Sequence, residues 1–118
     1  MRNFRNLEVW KIGVDFSAYV YELTDKFPKK ELYALCDQLQ RAAVSIPSNI
    51  AEGCSRRSER EFAHYLEISL GSSYEVETQM EIAHRLKYIS KEQFENTIDK
   101  IQSLEKKLTN LINTILPA

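Results

Sequence analysis

Glycine and proline are scarce in this chain, with 3 of each in 118 residues. That leaves few places for tight turns, so the chain must be built from a few long elements. Cysteine is scarcer still: Cys36 and Cys54 are the only two. They lie on what reads as one helix, about 27 Å apart at 1.5 Å per residue, beyond the reach of a disulfide. Both therefore read as reduced packing residues. No apolar run approaches the roughly 20 residues that span a membrane, and the opening MRNFRNLEVWK holds no apolar signal core. The expectation is a cytoplasmic protein without a membrane partner. No window alternates polar and apolar residues long enough for a sheet. There is no glycine-rich phosphate loop and no serine, histidine and carboxylate spaced as a triad. Neither sign of charge dominates: the formal net charge is −1, with 10 Lys and Arg against 8 Asp and Glu in residues 1–60 and 6 against 9 in residues 61–118. The strongly basic footprint usual for a nucleic-acid-binding domain is missing.

What remains is a chain 43% hydrophobic and 28% charged, long enough to bury a core without staples and expected to form one domain over residues 1–118. Apolar spacing predicts four helices. The first runs from about Asn6 to Lys26 and carries two apolar stripes. Val9, Ile12, Phe16, Val20, Leu23 and Phe27 form one stripe; Leu7, Trp10, Val14 and Tyr21 form the other. A surface helix needs only one apolar stripe. The second predicts contact with another chain, although a helix deep in a monomer's core would show the same pattern.

The second helix is predicted from about Lys30 to Gly53, with Leu32, Leu35, Leu39, Ala42, Ile46, Asn49 and Gly53 along its seam. Ser58 with Glu61, and Ser90 with Gln93, match the capping box. They place the start of the third helix near Glu59 and of the fourth near Lys91. Phe62, Leu66, Ser69, Ser73, Val76, Met80 and Ala83 line the third, which ends near Lys87. Phe94, Ile98, Ile101, Leu104, Leu108, Leu111 and Ile115 line the fourth, with Pro117 as its stop. Short connections between long amphipathic helices predict an all-α, antiparallel up-down-up-down four-helix bundle.

Pro47 falls inside the second helix. It removes the donor for the carbonyl of Ala43, and a proline there costs about 3 kcal/mol. The carbonyl needs a replacement donor from a serine, a water or a neighbouring helix. Ser45, Ser48 and Asn49 surround the break. The expectation is a helix kinked at Pro47, with Asn49 on the seam pinning the arrangement, as a single buried Asn can. A small polar pocket and a true helix stop are the alternatives.

With these elements placed, RAAVSIPSNIAEG at 41–53 resembles the signature of the four-helix-bundle proteins encoded in intervening sequences of bacterial 23S ribosomal RNA genes. The likeness continues through Phe27–Pro28, Gln38, Gly71–Ser72 with Glu75, LKYIS at 86–90, and the opening FRNLEVWK. The resemblance implies an antiparallel four-helix bundle, commonly assembled as a homopentamer, with no known enzymatic activity; no cofactor is expected. A related accessory protein of diversity-generating retroelements is basic and binds nucleic acid and a reverse transcriptase. This chain departs from it in being slightly acidic, and in having Gln40 where a second arginine often precedes Arg41.

Arg56, Arg57 and Arg60, with His64 one turn on, are the densest basic cluster. They could hold RNA phosphates, with Arg41 as a further candidate, and a ring of subunits would multiply a weak contact. A solvated helix turn, partly neutralised by Glu52 and Glu59, is the plainer reading. Pro47, Asn49 and Gly53 read as structural. The partners expected are a second copy of the chain and RNA or a nucleic-acid-processing protein, with no small-molecule substrate. The competing class is a di-metal carboxylate enzyme, because Glu61–His64 and Glu81–His84 both have the Glu-x-x-His spacing. Such sites draw one pair from each of two facing helices. Here both lie on one helix, about 30 Å apart, too far to share a metal.

Overall fold

The computed structural model describes residues 2–116. Most of them lie in α1 (Glu8–Thr24), α2 (Leu35–Cys54), α3 (Glu59–Arg85) and α4 (Lys91–Ile115). Short 3-10 turns at Phe4–Asn6 and Lys29–Glu31 precede α1 and α2. There is no strand among the described residues, so the class is all-α.

Neighbouring helices meet in reversed order of residues. Along α1 and α2, Gly13 faces Pro47, Ser17 meets Ala43 and Thr24 meets Gln40. Between α2 and α3, Ser45 pairs with Ser72 and Gly53 abuts Tyr65. Glu8 and Tyr19 of α1 reach Lys107 and Thr97 of α4. The apolar stripes meet in one four-helix core. Val9, Phe16, Val20 and Leu23 come from α1, Leu39, Ile46 and Ile50 from α2, Phe62, Leu66, Val76 and Met80 from α3, and Ile101, Leu104 and Leu108 from α4. Each such side chain contributes about 1.5–3 kcal/mol when fully buried.

The two serine caps fall at the positions their spacing predicts. Ser90 and Gln93 form the full reciprocal box, with Gln93 N donating to Ser90 Oγ at 3.1 Å and Ser90 N donating to Gln93 Oε1 at 2.8 Å. At α3 only half of the box is made. Glu61 N donates to Ser58 Oγ at 3.0 Å, while the Glu61 carboxylate accepts the Ser58 hydroxyl instead of its backbone N–H. The α3–α4 turn begins at Lys87, whose φ is 65°. Lys87 N donates to His84 O and Tyr88 N to Ala83 O, the paired bonds of a Schellman turn with lysine in glycine's usual place. Pro117, the expected stop of α4, lies outside the described residues.

The start of α2 differs from the expectation. Residues 30–34 do not join the α-helix, and Leu32 is half exposed rather than on the seam. Ala34 takes φ −124° and ψ −103°, which breaks any helical run. The Glu31 carboxylate is held by the Tyr88 hydroxyl at 2.8 Å, and this fixes the turn from a distance. Asn49 is also displaced from the seam. It is only half buried, while Ile50 is fully buried beside it. Asn49 Nδ2 donates to the carbonyl and hydroxyl of Ser45, whose hydroxyl also pairs with Ser72 at 2.8 Å.

Pro47 lies within an unbroken α2, so the helix neither stops nor restarts there. The donor for Ala43 O comes from α1: Ser17 Oγ stands 3.0 Å from it and 2.9 Å from Gly13 O on its own helix. Gly13 makes room for the ring, since a Cβ there would sit 3.2 Å from Pro47 Cβ. On the other side, Ser69 of α3 donates to Ile46 O at 2.9 Å. A glycine and two serines from both neighbours thus pack and satisfy the backbone around the proline.

Candidate nucleic-acid interface

The α2–α3 turn is short because Gly53 lets α3 come close: a Cβ there would lie 2.8 Å from Tyr65 Cβ and 3.1 Å from the Phe62 ring. Ser55 and Arg56 then close the end of α2 through backbone bonds to Glu52 and Gly53, and Ser58 starts α3. The arginines therefore project from one tight corner, but they do different things.

Arg56 is committed to the fold. Its Nη2 donates to the Tyr65 hydroxyl at 2.7 Å, its guanidinium lies 4.8 Å from the Tyr65 ring centre, and Glu52 is 3.5 Å away. Arg57 and Arg60 are exposed and form no ion pair among the described residues. His64 is exposed, edge-on to Tyr65 at 5.9 Å. Arg41 is not part of this corner. It sits about 22 Å up α2 from Arg56, paired with Asp37 at 2.9 Å.

Arg2 joins the corner, a placement that the spacing in the sequence does not suggest. It grips Glu59 with two bonds of 2.6 and 2.7 Å and covers the Phe62 ring at 4.3 Å. The hydrogen bonds from Arg2 hold the Glu59 carboxyl below its ordinary range. Glu59, expected to neutralise the turn arginines, is thus occupied by a residue 57 positions away. Glu52 is likewise turned towards Arg56. Arg57 and Arg60 are left as the outward-facing charges.

The second stripe of α1 divides in the same way. Leu7 and Trp10 are half buried against the chain's own core, with Trp10 edge-on to Phe4 at 5.1 Å. Val14 and Tyr21 are exposed, at 41% and 49%. Tyr21 lines a shallow groove with Gln40, Arg41, Val44 and Ser48 of α2.

Neither Glu-x-x-His pair assembles a metal centre, and no group of three His, Cys, Asp or Glu side chains converges among the described residues. His84 is stacked on Phe94 at 4.6 Å, and Glu61 is drawn to its cap. The two thiols are buried and unpaired. Burial pushes both upward in pKa, away from the nucleophilic thiolate. No helix among the described residues is long and apolar enough to cross a membrane.

No curated protein matches the chain. Among solved structures, it resembles a protein of unknown function from the S23 ribosomal protein family of Bacteroides thetaiotaomicron. The two share 25% sequence identity at a TM-score of 0.83, over 89% of this chain and 95% of the other. Residues 5–110 match the family described as 23S rRNA-intervening sequence protein, and the chain belongs to that family.

Proposed function

We propose that this protein is a non-enzymatic, self-assembling binding module of the cytoplasm, whose partner is RNA or a ribonucleoprotein and whose contact surface is the α2–α3 turn. The observation that carries the reading is the pairing at that turn. Arg2 takes Glu59 and Arg56 takes Glu52, while Arg57 and Arg60 are exposed and form no ion pair among the described residues. Exposed guanidiniums are suited to phosphate oxygens. The family's link to intervening sequences of 23S rRNA makes RNA the first partner class to test.

Self-assembly is supported by Val14 and Tyr21 on α1 with Val44 on α2, apolar side chains that the chain leaves exposed. A count of five comes from family resemblance. A ring would repeat the arginine corner in each subunit and raise a weak single contact by multivalency. No observation favours the di-metal alternative: His84 is stacked on Phe94, and no three His, Cys, Asp or Glu side chains converge among the described residues.

Two measurements test the proposal. Fluorescence anisotropy with a structured RNA should show binding that is lost in Arg57→Glu with Arg60→Glu. Arg56 is left in place because it packs on Tyr65. Equal binding by the variant would remove the turn as the site. Light scattering should show a smaller particle for Val14→Asp with Tyr21→Asp, and an unchanged mass would sink that interface.

A further inference from the structure

The opposite end of the bundle carries an aromatic ring in the open. Tyr33 is 91% exposed, well beyond any other large apolar side chain among the described residues, and Leu32 and Leu86 beside that end are 53% and 50% exposed. Tyr33 stands on a turn that is tied down. The Tyr88 hydroxyl donates to Glu31 Oε2 at 2.8 Å, Phe27 packs on the Tyr88 ring at 5.4 Å, and Leu35 N points to Glu31 Oε1 at 3.5 Å. The turn is therefore held, yet its most conspicuous ring contributes almost nothing to the core.

The charges on the two turns at this end of the bundle are unevenly committed. Lys26, Lys29, Lys30 and Lys87 form no ion pair among the described residues, whereas Asp37 pairs with Arg41, Glu81 with Arg85 and Glu95 with Lys91. Glu31 holds Tyr88, which leaves Glu22, Asp25 and Glu92 as the unpaired acids at this end, among the described residues, against four lysines. A free ring among unpaired lysines is the combination that takes an unpaired nucleic-acid strand: bases stack on the ring and ammonium groups take phosphates. The arginine corner lacks this, because its ring, Tyr65, already carries Arg56.

We propose that Tyr33, with Lys29, Lys30 and Lys87, forms a platform for single-stranded nucleic acid, separate from the arginine corner. The two ends then divide the work: Arg57 and Arg60 meet the backbone of folded RNA, and Tyr33 stacks an unpaired base. This inference extends the RNA reading but rests on different residues.

Because stacking tolerates any base, a generic oligomer is a fair probe. The experiment uses anisotropy with a labelled oligouridine of about 15 nucleotides and, separately, a blunt RNA duplex. Four proteins are compared: wild type, Tyr33→Ala, Tyr33→Phe, and Arg57→Glu with Arg60→Glu. Tyr33→Ala should weaken oligouridine binding roughly tenfold and leave duplex binding alone, while Tyr33→Phe keeps both. The arginine variant should do the reverse. Failure of duplex binding alone would strike the arginine corner and spare Tyr33. Absence of oligouridine binding, or binding that survives Tyr33→Ala, or binding lost in the arginine variant and kept in Tyr33→Ala, would overturn the platform. Since the Tyr33 ring is almost wholly in solvent, its removal leaves the core intact, and circular dichroism verifies this.

Discussion

Ser17 on α1 places its hydroxyl 3.0 Å from the carbonyl of Ala43 on α2, the carbonyl that Pro47 leaves without a helical donor. The proline and the serine are one structural unit made by two helices. Gly13, one turn before Ser17, completes it by admitting the proline ring. Removing the hydroxyl should therefore leave a buried acceptor unpaired, at about 1–3 kcal/mol. Ser17→Ala should lower stability by that amount in urea unfolding. In a Pro47→Ala background, residue 47 regains its N–H and the same serine change should cost clearly less. Equal costs in both backgrounds would show that the two residues act independently.

The three glycines should respond differently to alanine. At Gly53 the new Cβ would meet Tyr65 Cβ at 2.8 Å, an atom too near the α3 backbone to move aside. Gly53→Ala should destabilise by about 1–3 kcal/mol through overpacking. Gly71 is exposed with nothing within 4 Å of such a Cβ. Small residues at 71–73 suggest close helix packing within the chain, but only Ser72 and Ser73 face inward. Gly71→Ala should stabilise the folded chain by about 1 kcal/mol through helix propensity. Thermal unfolding of the two variants distinguishes these signs.

Lys87 occupies the left-handed region at the end of α3, a conformation that costs an ordinary residue about 1–2 kcal/mol. Lys87→Gly should keep the Schellman turn and raise stability by up to about 1 kcal/mol. A fall in the urea midpoint would show that the lysine side chain supports the turn in some other way.

Glu105 should make stability depend on pH. It is buried between α3 and α4 with Oε2 unpartnered. Burial first, then the Glu77 carboxyl, push it up to about 8, against a pull downward from Ser73. In the unfolded chain it returns to the ordinary 4.5. Between those values the folded chain binds more protons than the unfolded chain, so stability falls as pH rises from about 4.5 to about 8 and then levels off. Glu105→Gln should flatten that slope and exceed wild type at pH 9. Urea midpoints at pH 5, 7 and 9 measure it, and an unchanged slope in the variant would assign the effect elsewhere.

Legibility in the sequence follows the range of the interaction. Ser58 and Ser90 announce their helices because a cap acts over three residues, and the α3 seam is readable because its period is local. The start of α2 is not, since Glu31 answers to Tyr88, 57 residues away. The partner of Ala43 is 26 residues away on α1, and serine carries no mark of it beyond its spacing of four from Gly13. At the arginine corner the cluster itself is plain, but which arginines are spent depends on Arg2 and Tyr65. The double stripe of α1 is legible as a pattern. Its division into half-buried Leu7 and Trp10 and exposed Val14 and Tyr21 goes with the turn at Phe4–Asn6, where Phe4 packs on Trp10.

The most direct test of the RNA-binding account is the salt dependence of binding to a structured RNA, measured for wild type and for Arg57→Gln with Arg60→Gln. Each phosphate contact releases condensed counterions, so the slope of log affinity against log salt counts the contacts. RNA binding through Arg57 and Arg60 requires a steep wild-type slope that becomes shallower by about two contacts in the variant, roughly one for each arginine removed. Indistinguishable slopes and affinities would contradict it and would turn the search to a protein partner.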